Sequence, residues 1–504
     1  VSARSSTPVG VLDGAPAARV DGSGALTVGD TELQWWIGSA ERWHRPDREV
    51  AVRQSVLDGA PVVQTSLRIP GGDARVHTYA VVAQGAEWVV LDVVNAGKVP
   101  VAVAVVARCP HDAPGASAPR WQLDGTVLRR DGAVVTVSGR AADAVYPASG
   151  FDEVAAALAA DAGAEGVAVP GGSDDRPGSD GAVPGAAAAA AFAQVFAVAH
   201  GTGIRVLVAL GPAAGPGPLP DPHAVAAPEA VIRGWRRQLD TVCRFRLADD
   251  AEEESAFARR CRLLLRHDAG TPADLSALAA FGHAGEAARR LDRALSALRR
   301  PVDAAEALPL LVAASDVVAW TPDAEARREL ARLLADAALQ LAGWARPRRL
   351  RRSAGGAADG LVVDWAMARL LARTGELDEP PADEATLAAV AAHRAAPAAG
   401  AGDGAALLAL RAGLVGDDAP GRVAVLPGWQ AAWSGRALEA HDLPTTAGSL
   451  SFAVRWHGTR PALLWQLEVG DGTVVPPVLD AAALDPAFTT SSPQGEALLA
   501  APPS

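Results

Sequence analysis

The sequence predicts a multidomain β + α protein, with an N-terminal β-sandwich, a central domain of helical hairpins and a small C-terminal β-domain. Three observations predict it. Residues 1–212 hold short runs rich in Val, Thr and aromatics, split by DG, GG and AG turns. Such residues suit a pleated surface, and glycine supplies the positive φ that tight hairpins demand. Beyond a proline-rich linker the apolar period changes to three and four residues, the spacing of one helical face. From about Gly421 the pattern returns to strand-like runs.

The totals narrow the function. A chain of 504 residues, 49% hydrophobic and 21% charged, has globular composition and length for about two to four domains. Its net charge of −12 argues against a nucleic-acid partner, which wants an excess of Lys and Arg. The basic cluster RPRRLRRS at Arg346–Ser353 suits a helix end, where cations meet the negative dipole terminus. Cys109, Cys243 and Cys261 are too few and too far apart for a disulfide framework or a zinc site. The start VSARSSTPVGVLDG lacks a basic then apolar leader. These two observations together predict a cytoplasmic location. No run reaches the ~18 apolar residues of a membrane span, so no membrane partner is expected. GxSxG, Walker and HExxH patterns are absent, and neither a cofactor nor a metal is expected.

Taken in order, ELQWWIG, VVQTSLRI, VHTYAVVA, EWVVLDVV, VAVAVVAR and AVVTVSG read as strands. AQVFAVAHGTGIRVLVALG reads as two more around His200–Gly203. So many short strands imply a sandwich rather than a βαβ sheet. Gly171–Gly185 is polar and rich in Gly and Pro, and reads as an exposed loop. The stretch SAERWHRPDREVAVRQ, Ser39–Gln54, reads as a turn after TELQWWIG followed by the returning strand. Alternation then sets Glu49, Ala51, Arg53 and Ser55 on one face and Val50, Val52, Gln54 and Val56 on the other. Trp43, His44 and Arg45 at the tip suit a contact with the helical domain first and a ligand second.

The sandwich is expected over 1–212 and the linker over 213–224, where prolines favour extended backbone. The helical domain follows over 225–416, the β-domain over 421–480 and a weakly ordered tail over 481–504. PEAVIRGWRRQLDTVCRFRLA puts Val231, Trp235, Leu239, Val242 and Phe245 on one helical face. EEESAFARRCRLLLRHD follows, with acids first and Arg and His last, as a helix dipole prefers. Further helices fit Pro272–Phe281, Glu286–Leu298, Ala304–Val318, Asp323–Ala345, Gly360–Thr374, Asp383–Arg394 and Gly404–Leu414. The short loops between these elements, about nine helices in all, predict antiparallel neighbours. In the last domain, His457–Arg460 reads as a hairpin turn between SLSFAVRWHG and PALLWQLEV.

This order resembles the six-hairpin glycosidases, glucoamylase-like and related bacterial enzymes whose helices form an (α/α) toroid. The resemblance rests on four segments. AQVFAVAHGTGIRVLVAL resembles the last hairpin of the family's sandwich. AFARRCRLLLRHD with DLSALAAFGHAGEAARRLDRALSAL resembles its helical repeat. LPLLVAASDVVAWTPDAEARRELARLLADAALQLAGW resembles the next hairpins. HDLPTTAGSLSFAVRWHGTRPALLWQLE resembles the closing β-domain. It implies an oligosaccharide or polysaccharide ligand and inverting hydrolysis by two carboxylates roughly 6.5–9.5 Å apart. Two features depart from the pattern. The connections that carry the acids in relatives are short here, and the helices are fewer than the twelve of a full toroid. An incomplete toroid with a lost site is therefore the other reading, which makes the chain a non-catalytic sugar-binding or protein-interaction scaffold. The oligomeric state is left open.

The acids that could carry the chemistry are Asp303, Glu306, Asp316 and Asp364. Asp303 and Glu306 open a helix, where a carboxylate also serves as a cap. Asp316 lies inside the apolar run LLVAASDVVAW. A buried acid there is either a general acid with a raised pKa or one neutralised by an arginine. Asp364 precedes Trp365, and an acid beside an indole can bind a sugar hydroxyl while the ring stacks on the sugar face. Trp365, Trp320, Trp43 and His44 are the candidate substrate contacts. For each of them a place in the core or at an interface is the competing explanation.

Overall fold

The computed structural model describes residues 6–39, 42–109, 119–162, 189–211, 218–297, 304–321, 323–345, 362–368, 370, 385–386, 388–390, 402–419, 421–469 and 477–500. The chain divides into two compact units, Val1–Trp235 and Arg236–Ser504. The Gly171–Gly185 loop and the Arg346–Ser353 cluster lie outside the described residues.

The first unit is built on two eight-stranded antiparallel sheets. One runs β1 (Ser6–Val9), β2 (Ala18–Asp21), β3 (Leu26–Val28), β4 (Thr31–Gly38), β10 (Val101–Arg108), β15 (Ala191–Val198) and β14 (Ala144–Ala148), with β5 (Trp43–His44) on β4. The other runs β11 (Trp121–Asp124), β12 (Val127–Arg130), β13 (Ala133–Ser138), β16 (Gly203–Ala209), β9 (Ala86–Asn95), β8 (Gly72–Ala83), β7 (Val63–Ile69) and β6 (Val52–Val56). Val103, Val105, Trp35 and Phe196 from the first sheet share a core with Val76, Leu91, Val93 and Val206 from the second.

A helix that the strand reading missed, α1 (Phe151–Ala162), covers the first sheet's other face. Phe151, Val154 and Leu158 bury against Trp36, Ala104, Val106 and Ala193. The signal was present as acids in the first turn of FDEVAAALAADA and apolar residues at helical spacing. Two strand readings are corrected. His200–Gly203 does not close a hairpin, because β15 and β16 lie in different sheets. Nor does the predicted returning strand lie on β4: the two-residue β5 pairs there instead, and β6 pairs with β7 in the second sheet. For β6 the reason is facial polarity. β4 is buried on almost every residue, as only a sheet covered on both faces allows, whereas β6 exposes Arg53, Ser55 and Val56.

In the second unit, the helix predicted through Phe245 stops early. The helix α2 (Pro228–Asp240), which begins in the first unit, is followed by strand β17 (Arg244–Arg246), so Phe245 sits on a strand. Helices α3 (Asp250–Leu264), α4 (Pro272–Ala280), α5 (Ala284–Ala297), α6 (Ala304–Ala319) and α7 (Ala324–Ala345) each pack on the next, as short loops require. Residues 362–368 are also helical. The last helix, α8 (Asp403–Leu414), returns against α3 and α4.

That return is fixed by one carboxylate. Asp274 is 1% exposed and completes a capping box with Thr271 at the start of α4. The same side chain accepts from the Gly404 N–H at 3.1 Å, so it also caps α8, and from Arg266 at 3.2 Å. Gly404 is needed there, since a Cβ would stand 2.6 Å from the Ala273 backbone. Arg290 does the converse at the end of α3, donating to the Leu263 and Leu264 carbonyls at 2.9 and 3.2 Å.

A four-stranded sheet of β18 (Val415–Gly416), β19 (Arg422–Val425), β23 (Val478–Asp480) and β24 (Thr489–Thr490) and a five-stranded antiparallel sheet complete the unit, the latter running β17, β20 (Leu438–Thr445), β21 (Gly448–His457), β22 (Arg460–Val469) and β25 (Gln494–Leu498). The β21–β22 turn falls at His457–Arg460, with Gly458 at φ +65°. The tail expected to be weakly ordered instead supplies an edge strand. Gly495 lets β25 lie against the Trp465 ring, which Phe488 meets edge-on at 5.4 Å.

Asp274→Ala is expected to lower unfolding stability by about 3 kcal/mol, because it strands buried donors. Asp403→Ala, which breaks a half-exposed pairing with Arg262, should cost about 1 kcal/mol. Denaturant titrations of both variants test this ranking, and equal small losses would refute it.

Candidate functional site

The structure treats the predicted residues very differently. Asp303 and the side chain of Glu306 lie outside the described residues. Asp316, on α6, is 0% exposed. Asp364 is exposed, while its neighbours Val363, Trp365 and Ala366 are buried. Among the described residues, therefore, the two carboxylates do not share one surface.

Trp320, one helical turn beyond Asp316, is 1% exposed. Its indole N–H donates to Asp417 at 3.1 Å, and the Arg411 guanidinium lies 4.0 Å above its ring. Arg411 grips Asp417 with two bonds of 2.9 and 3.0 Å and donates to the Pro444 carbonyl at 2.8 Å. The Thr446 N–H also donates to Asp417, at 2.7 Å. A ring sealed in this way offers a sugar no face. The expectation of a substrate contact at Trp320 gives way to a structural role, because the indole and the guanidinium satisfy one buried carboxylate.

Trp43 and His44 are likewise held inside their own unit. The Trp43 N–H donates to the Leu158 carbonyl of α1 at 3.2 Å. His44 is buried, with Nε2 2.9 Å from Ser39 and Nδ1 3.1 Å from Glu49. Arg45 lies 4.7 Å over the Trp36 ring and reaches Asp152 of α1 at 3.0 Å. The charge-rich stretch thus clamps α1 onto the first sheet.

The structure also gathers aromatic residues that sequence reasoning assigned to strands or passed over. Trp429 lies 5.7 Å from Trp433 and 5.8 Å from Trp456 in the second unit. Trp433 is buried, while Trp429 and Trp456 are half-buried and inclined at 34° to each other. The Trp456 N–H is used on the Arg436 carbonyl at 2.8 Å. Two half-open indoles side by side can pack on the CH faces of a sugar. The spacing from Trp429 to Trp433 was legible, but Trp456 joins them only through the β20–β21 sheet. A cavity of about 720 Å³ lies on the second sheet of the first unit beside Arg53, Ser66 and Arg75.

Burial disfavours two other candidate chemistries. It pushes the Cys243 and Cys261 thiols up to about 11 and about 12, so neither supplies a thiolate at neutral pH. It pushes His283 down to about 4, helped by Arg260, so the imidazole is neutral there.

No protein-family model matches the chain, and no curated protein matches it. Among solved structures the chain is similar to a bacterial glucoamylase solved in complex with acarbose. The TM-score is 0.44 and the identity 9%, over 82% of this chain and 68% of that one. At that level the likeness says nothing about this chain's residues or chemistry.

The depressed His283 value predicts a pH effect. Stability from this group is complete above about pH 6.5 and is lost as pH falls toward 4, about 2 kcal/mol by pH 5. NMR titration of the His283 ring protons checks it, and a midpoint near the ordinary histidine value would refute it.

Proposed function

We propose that the chain is a glycoside-hydrolase-like, carbohydrate-active protein that acts on or binds an oligosaccharide. The observation that carries this reading is the order of its parts. A two-sheet sandwich is followed by helices that each pack on the next, then by a small antiparallel sheet. That is the layout in which the resembling glycosidases place their sites, and as a fold-level analogy it supports a substrate class rather than a substrate. In such a hydrolase one carboxylic acid protonates the leaving oxygen and a second activates water on the opposite face. Asp364 is the group suited to either step, because its carboxylate reaches solvent while Trp365 anchors the helix beneath it. Asp316, sealed in α6, is assigned a structural role.

A second reading is favoured by specific observations. The sealed Asp316 and Trp320 and the half-open Trp429 and Trp456 suit a protein that holds sugar without cleaving it. On this reading the Trp pair is the contact surface.

Proton NMR with a panel of neutral oligosaccharides separates the two. New anomeric signals establish hydrolysis, and saturation transfer without them establishes binding alone. The absence of both would overturn the carbohydrate reading. Asp364→Asn is expected to reduce turnover by about 10²-fold or more while the chain still folds. Trp429→Ala is expected to weaken saturation transfer, and unchanged transfer would remove the Trp pair from the site.

A further inference from the structure

Arg260 on α3 is a buried cation with an incomplete set of partners. The residue is 4% exposed. Its Nη2 donates to the Leu239 carbonyl at 3.1 Å, and its Nε is sealed from solvent without an acceptor. The guanidinium lies over the rings of Phe245 and Phe281 at 5.5 and 5.6 Å. Neither ring can accept the fork of hydrogen bonds that guanidinium offers. Among the described residues no carboxylate stands within 4.0 Å of it, in contrast to Arg411 and Arg290, which each hold one. Removing a guanidinium from water is costly unless it is paired, and Asp240 attracts this one only from beyond ion-pair distance.

Arg260 lines a cavity of about 210 Å³ in the second unit, together with Arg236, Arg244 and Arg246. Arg244 and Arg246 flank Phe245 on β17, at the end of its sheet. Both side chains are exposed, and neither makes a side-chain hydrogen bond or ion pair among the described residues. The acids lining the cavity are Asp240, Glu253 and Glu439. Two of these are engaged elsewhere, Glu253 by the Leu247 N–H at 2.9 Å and Glu439 by Arg455 at 3.0 Å. In a chain of net charge −12 this is a local excess of positive charge around a space of small-molecule size.

We propose that this cavity binds a small oxyanion, the phosphate or carboxylate of a low-molecular-weight ligand, between Arg260 and the Arg244 and Arg246 side chains. Planar guanidinium forks match both groups by paired charge-assisted hydrogen bonds. Phe245 and Phe257, which also line the cavity, offer the remainder of the ligand an apolar wall. The inference stands apart from the carbohydrate reading and does not rest on it.

The test uses the full chain, with inorganic phosphate and glucuronate as probes and ionic strength held constant with sodium chloride. Melting temperature is followed against probe concentration, and phosphate binding is measured directly by ³¹P line broadening. A saturable rise with either probe is expected, with glucose giving none. Phosphate alone assigns a phosphate-bearing ligand, and glucuronate alone a carboxylate-bearing one. Arg244→Gln and Arg246→Gln, at exposed positions, are expected to weaken binding by about tenfold or more. Arg260→Lys, which keeps the charge but loses the fork, should weaken it too. No saturable response beyond chloride in the parent, or an unchanged affinity in both exposed variants, overturns the proposal.

Discussion

Asp417 is the point at which the second unit closes. Its carboxylate has no exposed surface and takes hydrogen bonds from Arg411, Trp320 and the Thr446 backbone. Those donors come from α8, from the residue that follows α6 and from the loop between β20 and β21, so one buried charge ties the ends of two helices to the terminal sheet. Loss of any donor leaves an ion in a medium that cannot solvate it, which makes the arrangement all or none. Asp274 acts in the same way at the opposite end of the sequence interval, capping α4 and α8 across 130 residues. The helices are therefore registered by paired charges at their ends as much as by apolar contact along their lengths.

The first unit solves a different problem. Its first sheet is apolar on both faces, and an uncovered apolar face of that size would invite association. The second sheet covers one face, and α1 covers the other. The residues between β4 and β6 hold α1 in place by hydrogen bonds, an ion pair and a cation over Trp36. Polar density in the sequence thus marks a clamp.

These arrangements bear directly on chemistry. Polar groups that complete a buried network are not available to a substrate, and Trp320 and His44 belong to that class. Groups that stay exposed or lack a close counter-charge are more informative. Asp364 is exposed on a helix of mostly buried residues, the Trp429 and Trp456 rings are half open, and Arg260 is buried with no carboxylate within 4.0 Å among the described residues. They describe a unit that reserves a few polar and aromatic groups for ligands while spending most of its charge internally.

Much of the fold was legible in the chain alone. Strands β4 and β10, the α4, α6 and α8 helices and the Gly458 turn follow from period, capping residues and turn glycines, which act within a few neighbours. Strand period did not reveal that the first sheet is covered on both faces, and α1 was missed. Arg411 could have been singled out, since Leu407, Leu408 and Leu414 place it on an apolar helical stripe. Its partner Asp417 could be paired with it, but not with Trp320, 97 residues away. By itself the sequence determined the local elements and the faces they present, because those depend on neighbours three or four positions apart. Only the tertiary structure decided which sheet each strand joins and which acids and rings remain open, because burial is settled by partners that the chain brings together from a distance.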